Sequence, residues 1–393
     1  MKKIFLLIPI IFIFCGCRDY KELNDIAIVS GMSIDKKDNK YKISILVANS
    51  KDSDGAQKEG VAGTAVYSTT SKSMADAIKN LDNILPKKIY LGHLGIVIIS
   101  DEVARDGINN ITDYFFRNPE TTKGFYIIMT KENEKAENAL KILSPLESFP
   151  FQNIKLSIEN SSSSGAITDN LTYSEFLEKY LKTGSEGYIP TIEIVGNVKK
   201  GSSTKTLEST KVKTYINTKG LALFKDDKLV GYTKKDESRG INLVLNNAEE
   251  IIIKNNCTNG YVATIVNRIK TKRKIKFINN KPVVYITIKG SGDIEETNCD
   301  IDLKKEKDIK KIENKINKSI KKLANKGIDK AKLYETDIFE FGNLVYKKNP
   351  TFYKKIDNWN LYFKNIKTNI KVDIKIKNKG SIKQSITKEK SYE

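Results

Sequence analysis

The opening residues, MKKIFLLIPIIFIFCGC, constrain this chain more than any other stretch, because they decide on which side of a membrane the rest must fold. Lys2 and Lys3 give a positive start, Ile4 to Gly16 runs without a charge, and Cys15-Gly16 stands directly before Cys17. The uncharged run is shorter than the roughly 20 residues a helix needs to cross a bilayer. A charged n-region, an apolar h-region and small residues at the exit form the pattern of a secretory signal. Ending on a cysteine, it reads as a bacterial lipoprotein signal: residues 1–16 are removed and the Cys17 thiol carries a diacylglyceryl group. Two acyl chains anchor a protein stably, where one of ~14 carbons holds it only marginally. The competing readings are a secreted protein cut elsewhere and an uncleaved apolar anchor.

Without the signal, 393 − 16 = 377 residues remain, enough for two or three domains with a sizeable core. The net charge of +20 becomes +18 once Lys2 and Lys3 leave. A lipid-tethered chain with that excess has anionic headgroups as its natural neighbour. Lysine, asparagine and isoleucine are abundant together throughout, however, which an AT-rich genome also produces. No arginine-rich, aromatic-laced strip points to nucleic acid. Besides Cys15 and Cys17 the cysteines are Cys257 and Cys299. A compartment outside the membrane permits a disulfide, but spacing does not decide between a bond and two free buried thiols.

The pattern predicts a mixed α/β (α+β) chain of several domains. Two early strands run through Ile26–Met32 and Tyr41–Val47, joined by a turn over Asp35 to Lys40. Ser50 to Gly63 reads as an exposed loop, and Ser73 caps a helix carrying Met74, Ala77, Ile78 and Leu81. Ile89–Ser100 is apolar enough for one buried central strand. Asp101 then caps a helix with Val103, Ile108, Ile111, Tyr114 and Phe115 on one face. A strand at Phe125–Thr130, a helix from Glu132 to Leu143 and a helix at Tyr173–Leu181 follow. The serine run Ser161–Ser164 marks Asn160 to Thr168 as a flexible loop. A strand at Ile192–Val195 completes an alternating N-terminal part, residues 17–198, and Lys199 to Lys211 is the linker candidate.

The second part, residues 212–380, is richer in strands. They fall at Leu221–Phe224, Leu229–Tyr232, Tyr261–Ile269, Arg273–Ile278 and Val283–Gly290. A long helix from about Leu303 carries Ile309, Ile312, Ile316, Ile320 and Leu323 as a narrow apolar stripe. Packing on the sheet suits it better than lying on a membrane, because Glu306, Asp308 and Glu313 share the helix. Phe339, Phe341, Trp359 and Tyr362 are either core of this part or a docking surface, with core favoured. The final strand alternates Ile370, Val372, Ile374 and Ile376 with Lys371, Asp373, Lys375 and Lys377, so one face is buried and one is wet.

Nothing here builds an enzyme. His93 is the single histidine, which excludes a histidine metal cluster, and it falls inside the apolar strand as a satisfied core or edge residue. Gly290-Ser291-Gly292 lacks the third glycine and following helix of a dinucleotide loop. Asp35, Asp38 and Asn39 form a turn without the glycine and glutamate of a calcium loop. Glu295, Glu296, Asp300 and Asp302 complement the dipole of the long helix. No cofactor is expected beyond the lipid on Cys17.

Four blocks, in order, resemble a known family. RDYKELNDIAIVSGMSID after Cys17, LGHLGIVIISDEVARDGINNITDYFFRNPE, GLALFKDDKLVGY with SRGINLVL, and DIFEFGNLVYKKNPTFYKKIDNW are similar to segments of the Ger(x)C lipoproteins, the C subunits of spore germinant receptors. Arg18 stands where the family has an aromatic, and Glu340 replaces a glycine of its DIFGFG motif. The resemblance implies a non-catalytic, lipid-anchored subunit of three α/β domains on the outer face of the spore inner membrane. It would act with polytopic A and B subunits to trigger germination in response to nutrients. Only Cys17 carries over from the family, as the lipid attachment site. The alternative is a lipid-anchored solute-binding protein of a transporter, a class normally built as two similar α/β lobes around a cleft.

Overall fold

The computed structural model of the protein describes residues 25–48 and 63–378. The signal segment, Cys17 and all but the last residue of the loop expected at Ser50 to Gly63 lie outside them. The first part runs β1 (Ile26–Lys37), β2 (Lys40–Ala48), β3 (Thr64–Ser71), α1 (Met74–Asp82), β4 (Lys88–Tyr90), β5 (Ile96–Ile99), α2 (Asp101–Asp106) and α3 (Asn109–Arg117). It continues through β6 (Tyr126–Thr130), α4 (Ala136–Lys141), α5 (Pro150–Gly165), α6 (Tyr173–Leu181), β7 (Tyr188–Val195), α7 (Val198–Gly201), β8 (Tyr215–Lys225) and β9 (Lys228–Tyr232). These strands form one nine-stranded sheet in the order β3-β2-β1-β5-β6-β7-β8-β9, with β4 beside the start of β1. Its centre, β1-β5-β6-β7, is parallel, and both flanks are antiparallel. Ile96 to Ile99 are all fully buried because helices cover both faces. Val97 and Ile99 share a core with Leu81, Val103, Phe115 and Phe176, while Ile96 and Ile98 meet Leu140, Ile154 and Ile158 on the other side.

The second part holds α8 (Lys235–Leu245), β10 (Ile251–Cys257), β11 (Gly260–Ile278), β12 (Lys281–Thr297), α9 (Glu306–Leu333), α10 (Phe341–Lys348), α11 (Pro350–Tyr353), α12 (Trp359–Lys364) and β13 (Lys367–Asn378). Its sheet is β10-β11-β12-β13, antiparallel except for the parallel β12–β13 pair that α9 connects. Ile309, Ile312, Ile316 and Ile320 are buried, so the stripe of α9 packs within the protein as its spacing predicts. Helices α8 and α9 cross at two glycines. A Cβ on Gly240 would lie 1.9 Å from the Leu323 carbonyl oxygen, and one on Gly327 would lie 2.5 Å from the Ile241 nitrogen. Only hydrogen fits at that crossing. Cys257 and Cys299 form a disulfide, which settles the choice that spacing left open.

Several expectations need correction. Residues 160–165, read as a serine loop, are the last turns of α5. Ile154, Ile158 and Ser162 are buried on one side, and the Ser164 hydroxyl donates to the Asn160 carbonyl at 2.6 Å, so packing overrides weak propensity. The single helix expected from Asp101 is two, broken at Gly107 with φ of +129°. The strand expected over Ile89–Ser100 is likewise two short strands, and His93 stands exposed in the turn between them, not in the core. The strands expected at 261–269 and 273–278 are one, β11, bent by a bulge at Arg268, whose φ is +52°. The polar stretch Lys199 to Lys211 does not separate two sheets, because β7 before it pairs with β8 after it. Asp35, expected in a turn, lies buried in β1. Its carboxylate accepts the N–H groups of Ala136 (2.7 Å) and Glu137 (2.9 Å) and thereby caps α4 from outside the helix.

Candidate functional site

Where α9 ends, the chain makes a tight knot around one carboxylate. Asp337 is completely buried. Its Oδ1 accepts the N–H groups of Phe339 and Phe341, both at 3.2 Å, and its Oδ2 accepts those of Gly342 (2.7 Å) and the Trp359 indole (2.8 Å). Burial pushes the Asp337 carboxyl up to about 7, opposed by these four donors. Around it Phe339 and Phe341 stack with ring centroids 5.2 Å apart, and Phe363 leans on both. Phe339, Phe341 and Trp359 are therefore core, while Tyr362 stacks on Trp359 at 5.5 Å and is half-buried.

The same knot holds the two sheets together. The Asp337 carbonyl accepts the Glu186 N–H at 3.0 Å. The Glu186 carboxylate accepts from the Asp226 N–H (2.8 Å) and the Asn360 amide (2.6 Å), joining the first sheet to α12. Arg273 of β11 donates to the Phe339 carbonyl at 2.6 Å. Glu340 adopts φ of +61°, a left-handed conformation that glycine takes without strain. Its carboxylate reaches back to Lys182 (3.2 Å) and Lys179 (3.5 Å) on and after α6. Burial pushes the Glu340 carboxyl up, but the two ammonium groups outweigh it and hold it below its ordinary value. Gly184, at φ +68°, packs so closely that a Cβ would sit 2.7 Å from Gly342 Cα.

Beside the knot a polar groove of about 850 Å³ opens between the sheets. Ser162 to Ser164 of α5, Glu175 and Lys179 of α6, the turn after α8 and the Asn267–Lys270 bulge of β11 form its walls. Asp169 and Asn247 lie in its lining. Asp169 accepts from the Tyr188 hydroxyl (2.5 Å) and the Asn247 amide (2.7 Å), and burial pushes its carboxyl up. The groove contains no pairing of a nucleophile with a base. Among the described residues no group of three or more His, Cys, Asp or Glu could hold a metal ion, and no helix is long and apolar enough to cross a membrane. Cys17 lies outside the described residues. Asp337 and Glu186 did not stand out in the sequence, although an aspartate opening an aromatic run with a tryptophan downstream was a usable signal.

Two sheets of different kind, one of nine strands and one of four, are thus fused through the knot around Asp337. Comparison with known proteins gives the chain a family. Residues 19–194 match the spore germination protein N-terminal domain, and residues 219–380 match the C-terminal domain of the spore germination B3/GerAC-like proteins. The chain belongs to that family, the Ger(x)C germinant receptor C subunits. Spore germination protein KC of Bacillus subtilis is 26% identical, with 94% of this chain and 93% of that protein covered. Spore germination protein GerQC of Bacillus cereus is 23% identical over 97% of this chain and 99% of its own length. The crystal structure of the GerBC protein shares the fold, with a TM-score of 0.56, 17% identity, and coverage of 92% of this chain and all of that one.

Proposed function

We propose that this chain is the non-catalytic, lipid-anchored C subunit of a spore germinant receptor, held by Cys17 to the outer face of the spore inner membrane and acting with polytopic A and B subunits to trigger germination. The observation that carries the reading is the match of both family domains along nearly the whole chain. The signal pattern ending at Cys17 supports the anchor, since the first family domain begins two residues later, at 19. Anchoring confines the protein to a thin layer beside membrane partners, which raises its effective concentration for them without a large interface. A solute-binding protein would show two lobes of one kind, whereas these sheets differ in strand number and order.

Affinity purification from mildly cross-linked spore membranes, followed by mass spectrometry, tests the assembly. Recovery of two polytopic proteins encoded beside it supports the receptor. Recovery of an ATP-driven permease instead sinks it. Radiolabelled palmitate incorporated by the native chain and lost in Cys17→Ala tests the anchor separately.

A further inference from the structure

We infer that the open face of the four-stranded sheet is a bed of lysines that lies on an anionic lipid surface. The period of two sorts this sheet into faces. Val284, Ile286, Ile288, Ile370 and Ile374 are buried on the side of α9, and residues of opposite parity look outward. There β11 presents Lys270, Lys272, Lys274 and Lys276, and β12 presents Lys289, all exposed. The parallel strand β13 adds Lys367, Lys371, Lys375 and Lys377, also exposed. Register lays them out in rows: Lys272 faces Thr287, which faces Lys371, and Lys276 faces Val283, which faces Lys367. Lys270 stands directly opposite Lys289, an arrangement of like charges that weakens a sheet by itself.

These charges are not balanced within the protein. Lys375 pairs with Glu313 (3.2 Å) and Asp373 (3.7 Å), and the other lysines of this face form no ion pair among the described residues. Asp373 is the one carboxylate set among them. Asp293, opposite Ile265, and Glu296, opposite Ala263, lie toward the far end of the strands. On α9, Lys310, Lys311, Lys326 and Lys330 each have a carboxylate beside them, while Lys307, Lys318, Lys321 and Lys322 form no ion pair among the described residues. What sets the sheet face apart is that register lays its lysines in rows on one plane.

The chemistry favours a lipid surface over a protein or nucleic acid. Outward residues repeat at about 7 Å along a strand and strands at about 4.8 Å, so the charge is spread over a plane and not gathered in a pocket. Between the lysines lie the uncharged Val283, Tyr285 and Thr287. Arg273, within the same stretch, turns inward to the Phe339 carbonyl. Lysine ammonium groups are hydrated point charges without the fork geometry by which arginine selects a partner, which suits a fluid array of phosphates. The inference rests on the lipid-anchored reading only for placing the protein beside a membrane.

The test uses residues 17–393 with Cys17→Ser, which keeps every described residue and carries no acyl chain. Co-sedimentation is measured with phosphatidylcholine vesicles with and without phosphatidylglycerol, at low and high salt. The expected result is binding only to the anionic vesicles, lost at high salt. Lys272→Glu/Lys274→Glu/Lys371→Glu, and the milder glutamine set at the same positions, should weaken it about tenfold or more with an unchanged circular dichroism spectrum. The control Lys318→Glu/Lys321→Glu/Lys322→Glu on the exposed side of α9 should bind within about twofold of the parent. No binding to anionic vesicles, or equal weakening in both triple variants, overturns the inference; the first outcome leaves an acidic protein surface as the occupant. Because Cys17 is replaced throughout, failure here leaves the anchor reading intact, and failure of palmitate labelling leaves this result intact.

Discussion

The Trp359 indole donates to the Asp337 carboxylate at 2.8 Å, completing a set of four N–H donors on one buried side chain. Three of those donors are backbone groups of the segment Phe339–Gly342, so the carboxylate shapes the turn that follows α9. The fourth brings in α12. Removing the indole N–H leaves a buried carboxylate short of a partner. Trp359→Phe is expected to lose about 1–3 kcal/mol in chemical denaturation.

The same carboxylate makes stability depend on pH. Its folded value is raised to about 7 from 3.8. A raised value means that the native state holds a proton the unfolded chain releases, so this stabilisation is complete below about pH 4 and is lost as pH rises through about 7. Urea titrations between pH 4 and 8 should show native stability declining across that window. In Asp337→Asn, which has no proton to lose, this component of the decline should vanish.

Glu340 separates backbone strain from charge. Glu340→Ala removes the ion pairs to Lys179 and Lys182 but keeps a side chain at φ of +61°, whereas Glu340→Gly also relieves the backbone. The glycine variant should be the more stable of the two by about 1 kcal/mol. Equal stability of the pair by thermal melting would mean that the left-handed turn carries no strain.

At the crossing of α8 and α9 there is no room for a methyl group. Gly240→Ala forces a carbon into the Leu323 carbonyl and should cost about 3 kcal/mol or more, or prevent folding. Replacing Gly124, which has no atom near its missing Cβ, by alanine serves as the comparison and should be tolerated.

The disulfide spans 42 residues of sequence. Chain entropy then predicts that the double variant Cys257→Ser/Cys299→Ser loses about 2–4 kcal/mol. A reductant should lower the melting temperature of the parent protein toward that of the variant.

Legibility in the sequence followed how unambiguous each period was. Strand β13 was plain from its strict alternation, and helix α6 falls at the expected Tyr173–Leu181, where Thr172 caps it in a box with Glu175. The stripe of α9 showed at once that it packs inward. Helix α5 was hidden because serines resemble a loop until Ile154 and Ile158 have a sheet to sit on. His93 was misplaced because Leu91 and Leu94 continue the apolar run through what is a turn. The knot around Asp337 left only a faint trace in the sequence, because its donors come from 22 residues away and from backbone groups. The order of the four family blocks carried the family where no local motif carried a chemistry.

Strand β1 lies in the middle of its sheet, between antiparallel β2 and parallel β5. A pull along the axis of β1 therefore loads it in shear against both neighbours. To yield, β1 would have to slide past two ladders of hydrogen bonds at once, where an edge strand could be unzipped one bond at a time.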